Sequence, residues 1–289
     1  MGYAKERTMW KGLNLAWSAA IHAALLLGLS CGNQGAPGST STGVDPEAAV
    51  STVPLLDVEL PELKDKMVLE ALFPEATFNV KGSLFHWDPD PDLGLPLDAQ
   101  GSTTTGLLTT LVAPDLKALV FESFAPGPDG RRPTCHACAP VLSVAVFKGA
   151  KNGPWRLTAW APALSRMGQN GKAGNIKVFT LGKDRQGMEL SMVYHGTGQG
   201  SGRADLYDLT DLSQVLSVAT YSSFDHMAGG ELLRHRLKRT FEFLPSEKSH
   251  FDVELHTKGH RVDMQANTRT VVDERVRKVF DGSAYVVKE

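Results

Sequence analysis

The sequence has no excess of charge of one sign. Its 289 residues contain 30 Lys and Arg against 32 Asp and Glu, which gives a formal net charge of −2. Domains that bind nucleic acid are usually basic, so the charge of the whole chain indicates no nucleic-acid partner. The chain also lacks a His-Glu-x-x-His motif and a kinase-type motif set. This lowers the expectation of an enzyme without excluding one, because catalytic triads are defined by geometry, and we assign no catalytic residue.

Cysteine is scarce. The chain has three cysteines, of which Cys31 stands alone while Cys135 and Cys138 form a close pair. If Cys31 is modified, the other two are even in number. An even number is what one disulfide in an oxidising compartment requires.

A long, purely apolar run is also missing. The most apolar stretch, 13–29, follows a basic start but is interrupted by Asn14, Ser18 and His22. A membrane span needs about 20 mostly apolar residues, whereas a basic start and a shorter apolar run are typical of the core of a signal peptide. We therefore expect residues 1–30 to be an export signal.

The end of this stretch has a recognisable pattern. Residues 25–32 read LLLGLSCG, with the small residue Ser30 directly before Cys31. The pattern resembles the lipobox of bacterial lipoproteins, although Gly28 stands where that family usually has Leu. The resemblance implies that the Cys31 thiol carries a covalent lipid, that the membrane is a partner through this anchor, and that the protein lies in the cell envelope. Gly32 in place of Asp favours the outer membrane; an ordinary secretory signal and a retained anchor helix are the alternatives.

The segment after Cys31 is rich in Gly, Ser, Thr and Pro and contains no aromatic residue. Such a composition cannot bury enough apolar surface to offset the entropy of ordering. We predict a flexible tether over 31–54, with a root-mean-square span of roughly 25 Å, and a globular domain over 55–289. An ordered loop is the alternative for the tether.

The domain is expected to be mainly β, an antiparallel meander or sandwich or a partial propeller, with one or two short helices. An apolar stripe predicts a helix over 60–73, and 231–239 is a candidate for the second. Elsewhere short alternating runs at about ten-residue spacing predict strands. Three hairpins are expected: 142–160, 176–194 turning at 184–187, and 276–287 turning at Asp281-Gly282. Residues 178–209 resemble the paired-strand blades of propeller-like proteins.

The pair Cys135 and Cys138 lies between Pro133 and Pro140 and is expected to form a structural disulfide. Metal binding together with His136, or redox activity, are alternatives. Redox motifs of this spacing open a helix, whereas Pro140 and a β pattern follow here. The string also resembles a Cys-His-x-Cys motif of uncharacterised exported proteobacterial proteins, which implies no particular activity.

Strand alternation over 250–256 places four potential metal ligands on one face: His250, Asp252, Glu254 and His256. Histidine and carboxylate together suit zinc or a similar ion. The same pattern also arises on the polar face of any amphipathic strand, which is the alternative.

These observations favour a membrane-anchored envelope lipoprotein whose domain is a non-enzymatic binding or scaffolding module. We expect no cofactor besides the lipid on Cys31, and an envelope protein or polymer as partner. A metal- or thiol-dependent envelope enzyme is the alternative.

Overall fold

The computed structural model describes residues 57–73, 77–79, 84–87, 94–98, 101–149, 153–196 and 198–288. The predicted signal, tether and Cys31 lie outside the described residues. The described residues are mainly strand, as predicted, with one helix, α1 (Asp65–Leu72). The strands are β1 (Glu59–Leu60), β2 (Thr77–Asn79), β3 (Leu84–Trp87), β4 (Thr103–Ala113), β5 (Leu116–Phe124), β6 (Val141–Gly149), β7 (Trp155–Ser165), β8 (Gly168–Gln169), β9 (Lys172–Ala173), β10 (Asn175–Gly182), β11 (Arg185–Gly196), β12 (Gln199–Asp208), β13 (Gln214–Ala228), β14 (Glu231–Leu244), β15 (Asp252–Asp263), β16 (Thr268–Phe280) and β17 (Tyr285–Val287).

Both large sheets are antiparallel. The first has seven strands in the order β1-β7-β6-β5-β4-β3-β2, and the second has eight strands, β10 to β17, in chain order. A small hairpin lies between them in the chain, and each of its strands, β8 and β9, has two residues. Apart from β1, which lies at the edge beside β7, neighbouring strands of each large sheet are consecutive in the chain, which confirms the predicted antiparallel meander.

The central strands of the first sheet are buried on both faces. Along β6, Val144 and Val146 enter an apolar cluster shared with Met188 and Leu190 of the second sheet. The alternate residues, such as Phe147, enter a cluster on the opposite face. We call these the inter-sheet core and the helix-side core. The two sheets thus pack as a sandwich with an additional layer on one side.

The helix supplies that additional layer. Val68, Leu69 and Leu72 of α1 are buried in the helix-side core. The predicted helix over 60–73 is confirmed in shortened form, because Leu60 pairs with Trp155 at the edge of the first sheet and so takes a strand conformation.

The second helix proposed for 231–239 is wrong. Those residues belong to β14, which pairs with β13 on one side and β15 on the other. On β14 Leu233 and His235 are buried, whereas Arg234 between them is exposed, which is a strand period. The helix propensity of these residues is outweighed here by pairing with strands on both sides, because β propensity depends strongly on context.

The second sheet is strongly curled. The rings of Phe179 on β10 and Phe243 on β14 stack with centroids 4.7 Å apart, although four strand spacings in a flat sheet would separate them by roughly 19 Å. The backbone closes the curl, since Phe251 N–H donates to the Leu181 carbonyl at 2.9 Å. The interior is apolar and includes Leu206 and Val253; we call it the curl core.

Two predicted hairpins form with different turns. Gly182 pairs with Arg185, so the β10–β11 turn consists of Lys183 and Asp184 rather than 184–187. Asp184 takes the positive φ of 58° that so tight a turn requires.

At the end of the chain, Phe280 pairs with Tyr285, so the turn has four residues rather than the predicted two. The Asp281 carboxylate accepts hydrogen bonds from the backbone N–H groups of Ser283 and Ala284. This bonding favours the longer turn, because a short Asp side chain readily accepts from the backbone two residues further on.

Candidate binding cleft

An open cleft of about 390 Å³ lies where the first sheet meets the β8–β9 hairpin and β10. The residues that line it are Leu108, Thr109, Glu122, Arg132, Lys172, Ala173, Gly174, Asn175 and Ile176. We call it the Glu122 cleft, because the carboxylate of Glu122 has the least ordinary environment.

Glu122 is a charged residue on a buried strand. It is only 8% exposed and follows Phe121 on β5, whose other residues are almost all apolar. One carboxylate oxygen, Oε1, accepts from Arg132, while Oε2 is buried without a hydrogen-bond partner in the described structure. Burying an ion is costly, and leaving one of its oxygens unsatisfied adds to the cost. Such an expense is typical of functional sites.

Arg132 is held in place by three groups. Its guanidinium donates to Glu122 Oε1, donates to the Gly171 carbonyl at 3.1 Å, and lies 4.7 Å from the centroid of the Phe124 ring. Its side chain is one-third exposed. Arg132 therefore forms a rigid cationic wall of the cleft, and Lys172 adds a second, exposed cation.

The cysteine turn positions this arginine. The sulfur atoms of Cys135 and Cys138 lie at disulfide distance, 2.03 Å, as predicted. The Cys138 carbonyl accepts from Gly171 N–H at 2.7 Å, which fastens the turn to the β8–β9 hairpin. Gly171 has a φ of +72°, and a Cβ there would lie 2.2 Å from the Pro133 carbonyl oxygen, so only glycine fits this junction.

His136, the candidate metal ligand between the two cysteines, contacts an aromatic ring. The His136 ring lies 4.6 Å from that of Tyr194 on β11. A strand, β6, begins soon after Pro140, so the pair does not open a helix as redox-active pairs do.

The four predicted metal-ligand residues divide into two groups. His250 lies before β15, stacks on Phe280 and contacts Asp208 Oδ2 through Nε2 at 3.2 Å. Burial raises the pKa of Asp208, but hydrogen bonds from Thr210 and Arg185 outweigh it and the pKa lies below its usual value. Burial likewise lowers the pKa of His250. This buried pair joins the end of β12 to the segment before β15.

The other three residues lie on one face of β15, as the alternation predicted, and each has an ionic partner. Asp252 contacts Lys248 and Arg277, Glu254 contacts Arg275, and His256 contacts Asp273 at 2.6 Å. The hydrogen bond from Lys248 lowers the pKa of Asp252. Within the described ranges, no three His, Cys, Asp or Glu side chains are grouped so as to hold a metal ion.

A serine and a histidine lie in contact in the second sheet. Ser222 Oγ is 3.1 Å from His235 Nε2, while His235 Nδ1 accepts from Val262 N–H at 3.3 Å. Burial lowers the pKa of His235, which favours the neutral ring. With Nδ1 as acceptor, the neutral ring carries its proton on Nε2 and donates to Ser222. A serine nucleophile needs the opposite tautomer, so this pair is not arranged to activate Ser222.

Sequence reasoning missed Glu122 and Arg132. The available signal was the single charged residue in the mostly apolar run 118–124 and an arginine three residues before the cysteine pair. Their contact across ten residues becomes visible only when β5 and the cysteine turn are placed together.

No helix of the described chain is both long and apolar enough to cross a membrane. Over the residues that the structure describes, the fold is an antiparallel β domain of two large sheets and a small hairpin, with one covering helix. No protein-family model, curated protein or solved structure matches it.

Proposed function

We propose that this chain is a cell-envelope lipoprotein, anchored by a lipid on Cys31, whose β domain is a non-enzymatic binding module. The Glu122 cleft is its binding site, and an envelope polymer rich in hydroxyl and amide groups is its ligand. The observation that carries the proposal is the partly buried Glu122–Arg132 ion pair, which leaves Oε2 unsatisfied and holds a cation at the wall of a cleft that also presents Lys172.

The cysteine turn supports export. Cys135 is exposed and Cys138 is partly exposed, and an exposed pair of thiols stays reduced in an ordinary cytosol. A disulfide at this place is therefore stable only in an oxidising compartment, which is where a lipobox-type signal would deliver the domain.

The polar groups of the cleft support the choice of ligand. Arg132 and Lys172 donate hydrogen bonds, and the side chains of Thr109 and Asn175 both donate and accept. Hydroxyl and amide groups donate and accept in the same way, so a polymer that carries both can satisfy each side of the cleft. Leu108 and Ile176 add the apolar surface that such sites usually include.

The anchor is tested by a Cys31→Ser variant in a bacterial host. We expect wild type to incorporate labelled palmitate and to fractionate with membranes, and the variant to lose both properties, because stable anchoring requires acyl chains. A Cys135→Ser/Cys138→Ser variant is the matched control and should keep the label. Undiminished labelling of Cys31→Ser would contradict the anchor.

The cleft is tested by a Glu122→Leu/Arg132→Met variant. Replacing a buried ion pair by apolar residues of similar size is often neutral or stabilising, so we expect the free energy of unfolding to change by less than about 1 kcal/mol or to increase. Arg132→Met alone should cost about 2 kcal/mol, because it leaves the carboxylate buried without its cation while partial solvent access limits the penalty.

The same variant separates stability from binding. Wild type is expected to co-sediment with purified peptidoglycan sacculi, and the double variant is expected to remain in the supernatant although it is folded. Glu59→Leu/Arg156→Met, which removes an exposed ion pair at the β1–β7 edge of the first sheet, is the control with the same net charge. Equal sedimentation of wild type and the double variant would reject the cleft as the binding site.

A further inference from the structure

One long strand edge of the second sheet is open. On one side β16 pairs with β15 from Thr268 to Lys278, whereas on the other side β17 covers it only from Lys278 to Phe280. In the part of the chain that the structure describes, no strand pairs with 268–277 on that side. An open edge presents unpaired N–H and C=O groups, which are a template for another strand.

The backbone groups that face outward at this edge can be identified. Lys288 N–H donates to the Arg277 carbonyl at 3.1 Å, so Arg277 points its carbonyl away from β15. Strand residues alternate in this respect, and β16 pairs with β15 without a register shift. The outward-facing groups therefore belong to Arg269, Val271, Asp273 and Arg275 as well.

The residues whose backbone groups face outward have charged side chains, except Val271. Val271 is 80% exposed, the highest value of any large apolar residue described. Arg269 lies two residues before it and Asp273 two residues after it, so all three are on the same face. An exposed valine between opposite charges at equal distances is self-complementary under a two-fold rotation.

We propose that β16 pairs antiparallel with β16 of a second copy of this chain, with Val271 opposite Val271 of the partner. Arg269 of each copy then faces Asp273 of the other, so two ion pairs flank the buried valines. A two-fold interface of this kind uses the same surface on both copies.

Geometry and charge together select this register. In an antiparallel pair, two residues directly opposite each other either both point their N–H and C=O groups toward the partner strand or both point them away from it. A symmetric pair must therefore be centred on a residue and not between two residues. Centring on Val272 places Arg269 opposite Arg275, and centring on Asp273 places two aspartates together; the register on Val271 has no like-charge pair.

The aspartate of this register keeps capacity for a second cation. Asp273 contacts His256 at 2.6 Å and Lys258 at 3.7 Å within its own chain, yet its side chain is 62% exposed. A carboxylate can accept about four hydrogen bonds, so Arg269 of the partner adds to these contacts and need not displace them.

Cross-linking of the full chain tests the register. In a Val271→Cys variant the two Cα atoms would lie about 5.5 Å apart, within disulfide range, and we expect a covalent dimer to become the main species under mild oxidation or with a short bismaleimide. Arg275→Cys, on the same face, would lie roughly 27 Å from its counterpart and should form no covalent dimer. Wild type controls for Cys31.

Charge exchange tests the ion pairs by analytical ultracentrifugation. Arg269→Asp and Asp273→Arg each place like charges opposite each other twice, so each should raise the dimer dissociation constant by roughly tenfold or more. The double variant restores opposite charges and should bind within about threefold of wild type.

Four results would overturn the proposal: a monomeric wild type, equal cross-linking of Val271→Cys and Arg275→Cys, a cross-linked mass that does not match two copies, or a double variant as weak as the single ones. The third result would indicate a different protein at this edge. None of these readouts depends on Cys31 acylation or on the Glu122 cleft, so dimerisation and the proposed function can fail separately.

Discussion

Gly182→Ala is expected to lower the free energy of unfolding by about 3–5 kcal/mol. A Cβ at this position would lie 1.7 Å from the Ser249 carbonyl oxygen and 2.3 Å from its carbon, both of them backbone atoms. The segment before β15 would have to move away from β10. That movement breaks the closing hydrogen bonds from Lys183 N–H to the Lys248 carbonyl and from Phe251 N–H to the Leu181 carbonyl, each 2.9 Å long. Urea unfolding followed by tryptophan fluorescence measures the loss.

Gly127→Ala is the matched control for this substitution. A Cβ there would meet only the Asp129 Oδ1 atom at 3.2 Å and the Arg131 carbonyl oxygen at 3.4 Å, which small adjustments relieve. We expect a change below about 1 kcal/mol. Similar losses in the two variants would mean that the clash with the Ser249 backbone does not determine the cost, because the lower entropy of the unfolded chain alone would stabilise both variants.

Local pattern was sufficient for many strands and for the existence of hairpins, and insufficient for the exact turns and for the closure of the second sheet. Hairpins depend on residues close in sequence, so alternation and turn residues predict them. Contact between Phe179 and Phe243 joins residues 64 positions apart (243 − 179 = 64), and no local period reports it. The error at 231–239 has the same origin, because only the neighbouring strands β13 and β15 decide between helix and strand there.

The candidate site divides in the same way. Cys135 and Cys138 are three residues apart, and their pairing could be predicted from this spacing and from the number of cysteines. Alternation also placed Asp252, Glu254 and His256 correctly on one face, but the cations and the acid that face them come from other segments. The alternation of a strand shows which residues share a face. The residues that contact them from a neighbouring strand are known only when the register of the two strands is known.

Phe121→Ala is expected to cost about 3–5 kcal/mol, because a fully buried phenylalanine loses its transfer free energy and leaves a cavity. Its side chain is 0% exposed in the helix-side core and meets Trp160 edge-to-face at 6.5 Å between centroids. Phe121 and Glu122 are adjacent on β5 and face opposite sides of the sheet. The burial of Phe121 in the helix-side core therefore helps to fix the strand that carries the carboxylate.

Two measurements on this variant decide whether that coupling exists. Leu232→Ala, at a side chain that is 40% exposed on β14, is the control and should change the free energy of unfolding by less than about 1 kcal/mol. If the helix-side core supports the cleft, Phe121→Ala should weaken sacculus binding under conditions where the domain is still folded, and Leu232→Ala should not. A stability loss no larger than that of Leu232→Ala would show that Phe121 is not packed in the helix-side core in solution. The position of β5 at Glu122 would then depend on the inter-sheet core alone.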